Sequence, residues 1–274
     1  LVEDNRAVAF LKSQGYRFAF FPSQWWLATR HNRHADVEAD VAGGFEMLRE
    51  LGRTDLRRHL RMGSMLDLLH RESVWRTADA DHLKRTFAAL ALVPGMPGPV
   101  FAFAHVLSPH RPFTFDRECH PLPRLASGTD SRGQYVAQVE CLDRLVLRLV
   151  TRLLHDSELP PIILLQGDHG SDPPTFADAP TAEAISPIAA EERLGAFGAY
   201  YLPDGGEKEF GDSVAVANVL GNVFRHYFGA ELPREPDDMY LSSYRAPYAL
   251  RRVSFSWLAQ ADSLPPGGAP TAWR

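Results

Sequence analysis

Apolar positions recur along the chain with two different periods, and their alternation predicts the architecture. In residues 3–14, Ala7, Phe10 and Leu11 fall at helical spacing, and Gly15 follows where a helix-ending glycine belongs. Residues 16–21 then read as a buried strand closed by Pro22-Ser23, so the chain opens with a helix-to-strand unit. Residues 25–40 are polar and aromatic without a clear period and are expected to form a loop. Residues 45–69 carry Leu, Met and Arg at helical spacing, and residues 79–92 place Leu83, Phe87 and Leu90 on one helical face.

The breaker Pro94-Gly95-Met96-Pro97-Gly98-Pro99 precedes an apolar run at 100–106, which reads as a central strand buried on both faces. A proline-rich loop covers 108–133. Tyr135, Val139, Leu142, Val146, Leu149 and Leu153 then mark an amphipathic helix that Pro160-Pro161 stops. The apolar strand at 162–166 runs directly into Gly167-Asp168-His169-Gly170. A proline-rich excursion at 172–187, a strand at 196–202 and a helix at 214–228 ending at Gly229 complete the pattern. Such alternation predicts an α/β fold with a mostly parallel sheet, forming one domain over 1–262 with a loosely held tail at 263–274.

In parallel α/β sheets, ligands bind beyond the carboxyl ends of the strands, where loops converge. Two of the predicted strands end in titratable residues: the first delivers His105 and then His110, the second Asp168 and His169. Adjacent Asp and His at a strand end offer an oxygen and a nitrogen to one cation, while the flanking Gly167 and Gly170 let the backbone turn. A polar turn is the other reading of that tetrapeptide. His110, in a proline-stiffened loop, suits a hydrogen bond to an anionic group or protonation of a leaving group. His105 alternates with Phe103 and reads either as a ligand-facing group or as a core histidine satisfied by a backbone carbonyl. His31, Arg33 and His34 reach an anionic ligand or remain solvated, and Asp143, eight residues after Tyr135, reads as an interior hydrogen-bonding group.

Composition narrows the picture further. Of 274 residues, 45% are hydrophobic and 23% charged, with a net charge of -5, enough for a sizeable core and unlike a nucleic-acid binder. The longest apolar runs are strand-sized, far below the roughly 20 residues a membrane-spanning helix needs. The opening Leu-Val-Glu-Asp-Asn lacks both an initiator Met and a signal-peptide pattern and is read as the start of a piece of a longer protein. Cys119 and Cys141 leave two options, one bridge or two unpaired thiols. Nucleophile-elbow, phosphate-loop and dinucleotide motifs are missing, which points to metal-assisted chemistry.

The motifs together resemble those of the sulfatases, the alkaline phosphatases and the membrane-anchored phosphoethanolamine and phosphoglycerol transferases. The resemblance covers roughly residues 1–253. It rests on Asn5 followed by Phe10-Leu11-Lys12 and Gly15-Tyr16-Arg17, on the segment from Phe103 through His105 and His110 to Phe113, on Tyr135, Val139 and Asp143, and on Gly-Asp-His-Gly after a strand. The chain looks closest to bacterial sulfatase-like proteins in which such a domain follows transmembrane helices. The resemblance implies an alkaline-phosphatase-like fold with a central, mostly parallel sheet flanked by helices on both faces. It further implies that Asp168 and His169 bind one divalent ion, Zn, Mn, Ca or Mg, and that His110 contacts the sulfate or phosphate as the catalytic group. His105 stands as a substrate-binding candidate. So do Ser23 and Gln24, which occupy the stretch where sulfatases carry a Lys-Trp-His grip, although neither Lys nor His is present there. Residues 171–193 lack the further zinc-binding His of the phosphoethanolamine transferases, so a second metal is not expected.

These readings converge on a metal-dependent hydrolase or transferase acting on a phosphate or sulfate ester, either a small molecule or a lipid headgroup. The parent would be extracytoplasmic and anchored by membrane helices preceding Leu1, with nucleic acid not expected as a partner. The alternative is a degenerate domain serving as an extracytoplasmic scaffold. The resemblance places the nucleophile, a Ser, Thr or Cys, upstream of Leu1. The 274-residue chain alone is therefore expected to show negligible turnover of aryl phosphate or aryl sulfate, and hydrolysis that His169→Ala abolishes would overturn this.

Overall fold

A computed structural model describes residues 4–23, 29, 31–39, 73–111, 113–122, 131–171, 173–211, 214–236 and 238–258. The predicted helix at 45–69, Gln24, Trp25, Trp26 and the predicted tail at 263–274 lie outside the described residues. The chain divides into two compact units, Leu1–Leu159 and Pro160–Arg274.

In the first unit, helix α1 (Arg6–Ser13) begins where Asn5 accepts the Val8 N–H at 2.8 Å, closing one of the orphan donors of the first turn. Gly15 follows at φ +85°, the left-handed turn that lets the chain reverse into β1 (Arg17–Phe21). The turn buries Val8 and Leu11 of α1, and Val8 packs with Phe18 and Phe20. Strand β1 pairs in parallel with β2 (Val37–Glu38) and with β3 (Val100–Ala104), in the order β2-β1-β3. Register sets Phe18 opposite Phe101 and Phe20 opposite Phe103, and both aromatic pairs stack, at 5.5 and 6.2 Å between ring centres.

The predicted strand at 100–106 is present as β3, and among the described residues it lies at the edge of this sheet rather than at its centre. β1 lies in the middle with Phe18 to Phe21 buried, whereas β3 is half-buried and Phe103 is 40% exposed. An apolar run states that a strand can be covered, not where in the sheet it lies, because burial is decided by its neighbours. β2 falls in the segment expected to be loop; two residues are too few to show a period.

Asp36 anchors this corner. Its carboxylate accepts the Phe18 N–H at 2.8 Å and the Lys12 ammonium at 2.7 Å. Helix α2 (Ser73–Leu90) starts earlier than the apolar spacing shows and buries Ala80 and Leu83 against Phe115 and Cys141. Helix α3 (Ser131–Asp156) carries Cys141, which is disulfide-bonded to Cys119, so of the two options for the thiols the bridge is the one formed. Asp143 is exposed on α3, which corrects its reading as an interior group; the helical period turns it away from the buried stripe.

In the second unit, β4 (Ile163–Gln166) pairs antiparallel with β5 (Gly198–Tyr201). Between them lie α4 (Pro174–Ala177) and α5 (Pro187–Leu194), the latter capped by Ser186. Helix α6 (Val219–Phe228) ends at Gly229 with φ +61°, as its sequence predicts, and a 3-10 turn at Val216–Asn218 replaces the predicted first turn. An antiparallel hairpin, β6 (Met239–Ser243) with β7 (Ala246–Val253), followed by α7 (Phe255–Leu258), is a further feature beyond the predicted elements. Its turn at Tyr244-Arg245 lacks the Asn-Gly or Gly signal that marks short hairpins. Leu241 and Val253 from the hairpin pack with Phe176, Ile185, Ala189 and Ala190, giving this unit its core. Among the described residues no helix is long and apolar enough to cross a membrane.

The Lys12 and Phe18 contacts hold the Asp36 carboxyl below its ordinary 3.8. A depressed carboxylate stabilises the fold above its unfolded value and loses that contribution as pH falls through the lowered one. Asp36→Asn is expected to cost about 1 kcal/mol at neutral pH, a difference that urea unfolding should find shrinking in acid below the ordinary value.

Candidate functional site

At the carboxyl end of β1 the chain turns through Ser23, which is 4% exposed. Its backbone N–H donates to Thr29 O at 2.8 Å, and its hydroxyl donates to Thr29 Oγ1 at 2.7 Å. His105, just past β3, lies in the parallel position, and its Nδ1 is 2.9 Å from Ser23 Oγ. With the Ser23 proton directed at Thr29, the remaining lone pairs of Ser23 accept from Nδ1–H of His105, which orients the ring. His82 adds a contact from α2, its Nε2 donating to Pro22 O at 3.0 Å. Parallel pairing of β1 and β3 thus brings together Ser23 and His105, which are 82 positions apart in the chain.

After His105 the chain makes a cis peptide at Ser108-Pro109 and reaches His110, which is exposed. The His110 backbone N–H donates to Leu107 O at 2.8 Å and its ring Nδ1–H to Arg111 O at 2.5 Å. The following backbone is held from α3 by Gln138, a residue only 1% exposed. Gln138 Oε1 accepts both Thr114 N–H at 2.6 Å and Phe115 N–H at 3.0 Å, and its Nε2 donates to Ser108 Oγ at 2.9 Å. One carboxamide therefore fixes both sides of the His110 segment, a role with no signature in hydrophobic periodicity.

His31, Arg33 and His34 are tied to carboxylates of their own unit. His31 Nδ1 lies 2.6 Å from Glu38, Arg33 reaches Asp4 at 2.6 Å, and His34 Nε2 reaches the same Asp4 at 2.7 Å. The His34 and Arg33 contacts hold the Asp4 carboxyl below its ordinary value, so this cluster closes the turn before β2.

In the second unit, Asp168 and His169 follow β4 directly. Asp168 Oδ2 and His169 Nε2 lie 3.5 Å apart, with the carboxylate side chain 90% exposed and the imidazole 42% exposed. The loop is clamped to the end of α5: Gly167 N–H donates to Phe197 O and Gly170 N–H to Arg193 O, both at 2.8 Å. A Cβ on Gly170 would lie 2.0 Å from Glu192 O, so only glycine permits this approach. Ser171 Oγ also bonds Glu192 across the same seam. Next to the loop, Tyr200 OH donates to Gln166 Oε1 at 3.2 Å, and burial pushes the Tyr200 hydroxyl pKa up. The donor set fits a divalent cation: one carboxylate oxygen and one imidazole nitrogen converge on an exposed strand end, leaving room for further ligands.

A constellation that the sequence reading passed over, Asp116, Glu118 and His120, holds its donor atoms within 4.8 Å of one another. Its Asp-x-Glu-x-His spacing is the signal that can find it. Its contacts serve the loop, since Asp116 accepts the His120 backbone N–H at 2.8 Å beside the Phe115 to Pro121 bridge and the Cys119 disulfide. Burial pushes the Asp116 carboxyl up, but the His120 hydrogen bonds outweigh it and hold the carboxyl below its usual value.

Compared with known families, the chain matches the sulfatase family model over residues 8–248. The chain belongs to the sulfatase family, with the alkaline-phosphatase-like α/β fold of that family. Membership carries a hydrolase-type function on sulfate or phosphate esters, in a family that generally binds a divalent metal. Neither the curated proteins nor the solved structures contain a match.

Replacing Gln138 tests how the His110 segment is held. Gln138→Leu strands two buried N–H groups and is expected to cost about 3 kcal/mol. Hydrogen exchange at the Thr114 and Phe115 amides should accelerate in the same variant.

Proposed function

We propose that this chain belongs to a metal-dependent hydrolase or transferase of phosphate or sulfate esters, with Asp168 and His169 as ligands of one divalent cation. The observation that carries the reading is the convergence of Asp168 Oδ2 and His169 Nε2, 3.5 Å apart at the end of β4 in a chain of the sulfatase family. A divalent cation there supplies Lewis acidity toward an ester oxygen. The clamp of Gly167 and Gly170 onto neighbouring backbone keeps the two donors on one side of the turn.

His110 is assigned the ester's anionic oxygen. As imidazolium it keeps Nδ1–H on Arg111 O and offers Nε2–H to that oxygen or to the leaving group. His105 is assigned a second hydrogen bond to the substrate, with the buried Ser23 acting through it by fixing its ring. Gln24 belongs to the same proposed group as the neighbour of Ser23 in sequence. The substrate class is a small-molecule or lipid-headgroup ester, and the parent protein is membrane-anchored with this part outside the cytoplasm. The Cys119 to Cys141 bridge supports that location, because such bridges persist in oxidising compartments.

Calorimetric titration with Mn²⁺, Zn²⁺, Mg²⁺ and Ca²⁺ tests the assignment. Asp168→Asn and His169→Ala are each expected to weaken binding of the preferred ion by at least about tenfold. Binding of equal strength by the native chain and both variants would remove the site and favour a scaffold that retained only the fold.

A further inference from the structure

We infer that Arg193 competes with the cation for control of His169, as a positioning residue that holds the imidazole in the tautomer unable to bind metal. The inference rests on the reading of Asp168 and His169 as metal ligands. His169 Nδ1 lies 2.7 Å from two different groups, the carbonyl oxygen of Gly170 and Nη1 of Arg193. One ring nitrogen cannot serve both. Toward Gly170 O it must donate a proton, and toward the guanidinium, which only donates, it must offer a lone pair.

A neutral imidazole carries one N–H, so the choice at Nδ1 decides the state of Nε2. When Nδ1–H donates to Gly170 O, Nε2 holds a lone pair beside Asp168 Oδ2, and the two form a ligand pair. When Nδ1 accepts from Arg193, the proton sits on Nε2 and points to the Asp168 carboxylate, with no lone pair left for a cation. Without a cation the second arrangement is preferred. The hydrogen bond from the guanidinium is charge-assisted, and the first arrangement sets an Nε2 lone pair against a carboxylate. Cation uptake therefore exchanges the Arg193 contact for the Gly170 contact.

Surrounding residues suit such an exchange. The Gly170 N–H is bonded to the Arg193 carbonyl at 2.8 Å, so the loop stays in place whichever way Nδ1 turns. The Arg193 guanidinium also lies 5.6 Å from the Phe176 ring, a cation-π contact it can keep after leaving the imidazole. Its positive charge beside the ligand pair opposes an incoming cation as well.

The test uses the full 274-residue chain, free of metal, with the His169 imidazole nitrogens labelled and assigned by comparison with His169→Gln. The native protein is expected to show the Nε2–H tautomer and Arg193→Met the Nδ1–H tautomer. In zinc calorimetry Arg193→Met should bind about tenfold more tightly than the native chain. Arg193→Gln, uncharged over a polar stem, carries the same zinc expectation if the methionine variant does not fold. An unchanged tautomer, or unchanged zinc affinity where Asp168→Asn still weakens binding, overturns the role of Arg193 and leaves the metal reading standing. Zinc binding by neither the native chain nor the Arg193 variants removes the metal reading, and this inference with it.

Discussion

The placement of the His110 segment depends on a single buried carboxamide. Gln138 sits in the N-terminal third of α3 and accepts two backbone N–H groups while donating to Ser108, so the loop after β3 has one course available to it. Left without that side chain, the same N–H groups would need water in a place that excludes it. The stacked Phe pairs between β1 and β3 set the strand to which this loop is attached, and Gln138 sets where the loop goes next. The exposed histidine of the first unit is thus placed by an aromatic sheet and by the three hydrogen bonds of one carboxamide.

The second unit solves a similar problem mainly with backbone contacts, joined by the Ser171 to Glu192 bond. The Asp168-His169 turn has little cover of its own, and it is held by carbonyl and amide contacts to α5 and to Phe197. The 2.0 Å approach that a Gly170 side chain would make to Glu192 O shows how closely the loop is drawn onto the helix end. That closeness also brings Arg193 against His169, so the contact that holds the loop introduces the competitor inferred for the metal. Tight docking and tuning of the proposed ligand come from the same few atoms.

Polar groups elsewhere are spent on local closure. Asp4 gathers Arg33 and His34, Asp36 gathers Lys12 and Phe18 N–H, and Asp116 folds its loop back onto His120. Each cluster resembles a binding constellation when read by residue type, yet each carboxylate already accepts hydrogen bonds from its neighbours. Asp168 differs in being 90% exposed beyond a strand end, where among the described residues its polar neighbours are the backbone N–H and ring of His169.

Local order in this chain was determined by the sequence itself. The capped opening helix, the buried strand at β1, the strands before His105 and Asp168 and the glycine stop at Gly229 follow from period, caps and breakers, which act over a few residues. The pairing of Asp168 with His169 was legible too, because adjacency alone brings them together. Tertiary structure decided the rest: β1 at the middle of its sheet, the Ser23 to His105 contact, the Gln138 clamp, the Cys119 to Cys141 bridge, the β6-β7 hairpin and the approach of Arg193 to His169. These join residues far apart in sequence through directional hydrogen bonds and packing, and such contacts leave no period behind because each depends on where two distant segments meet.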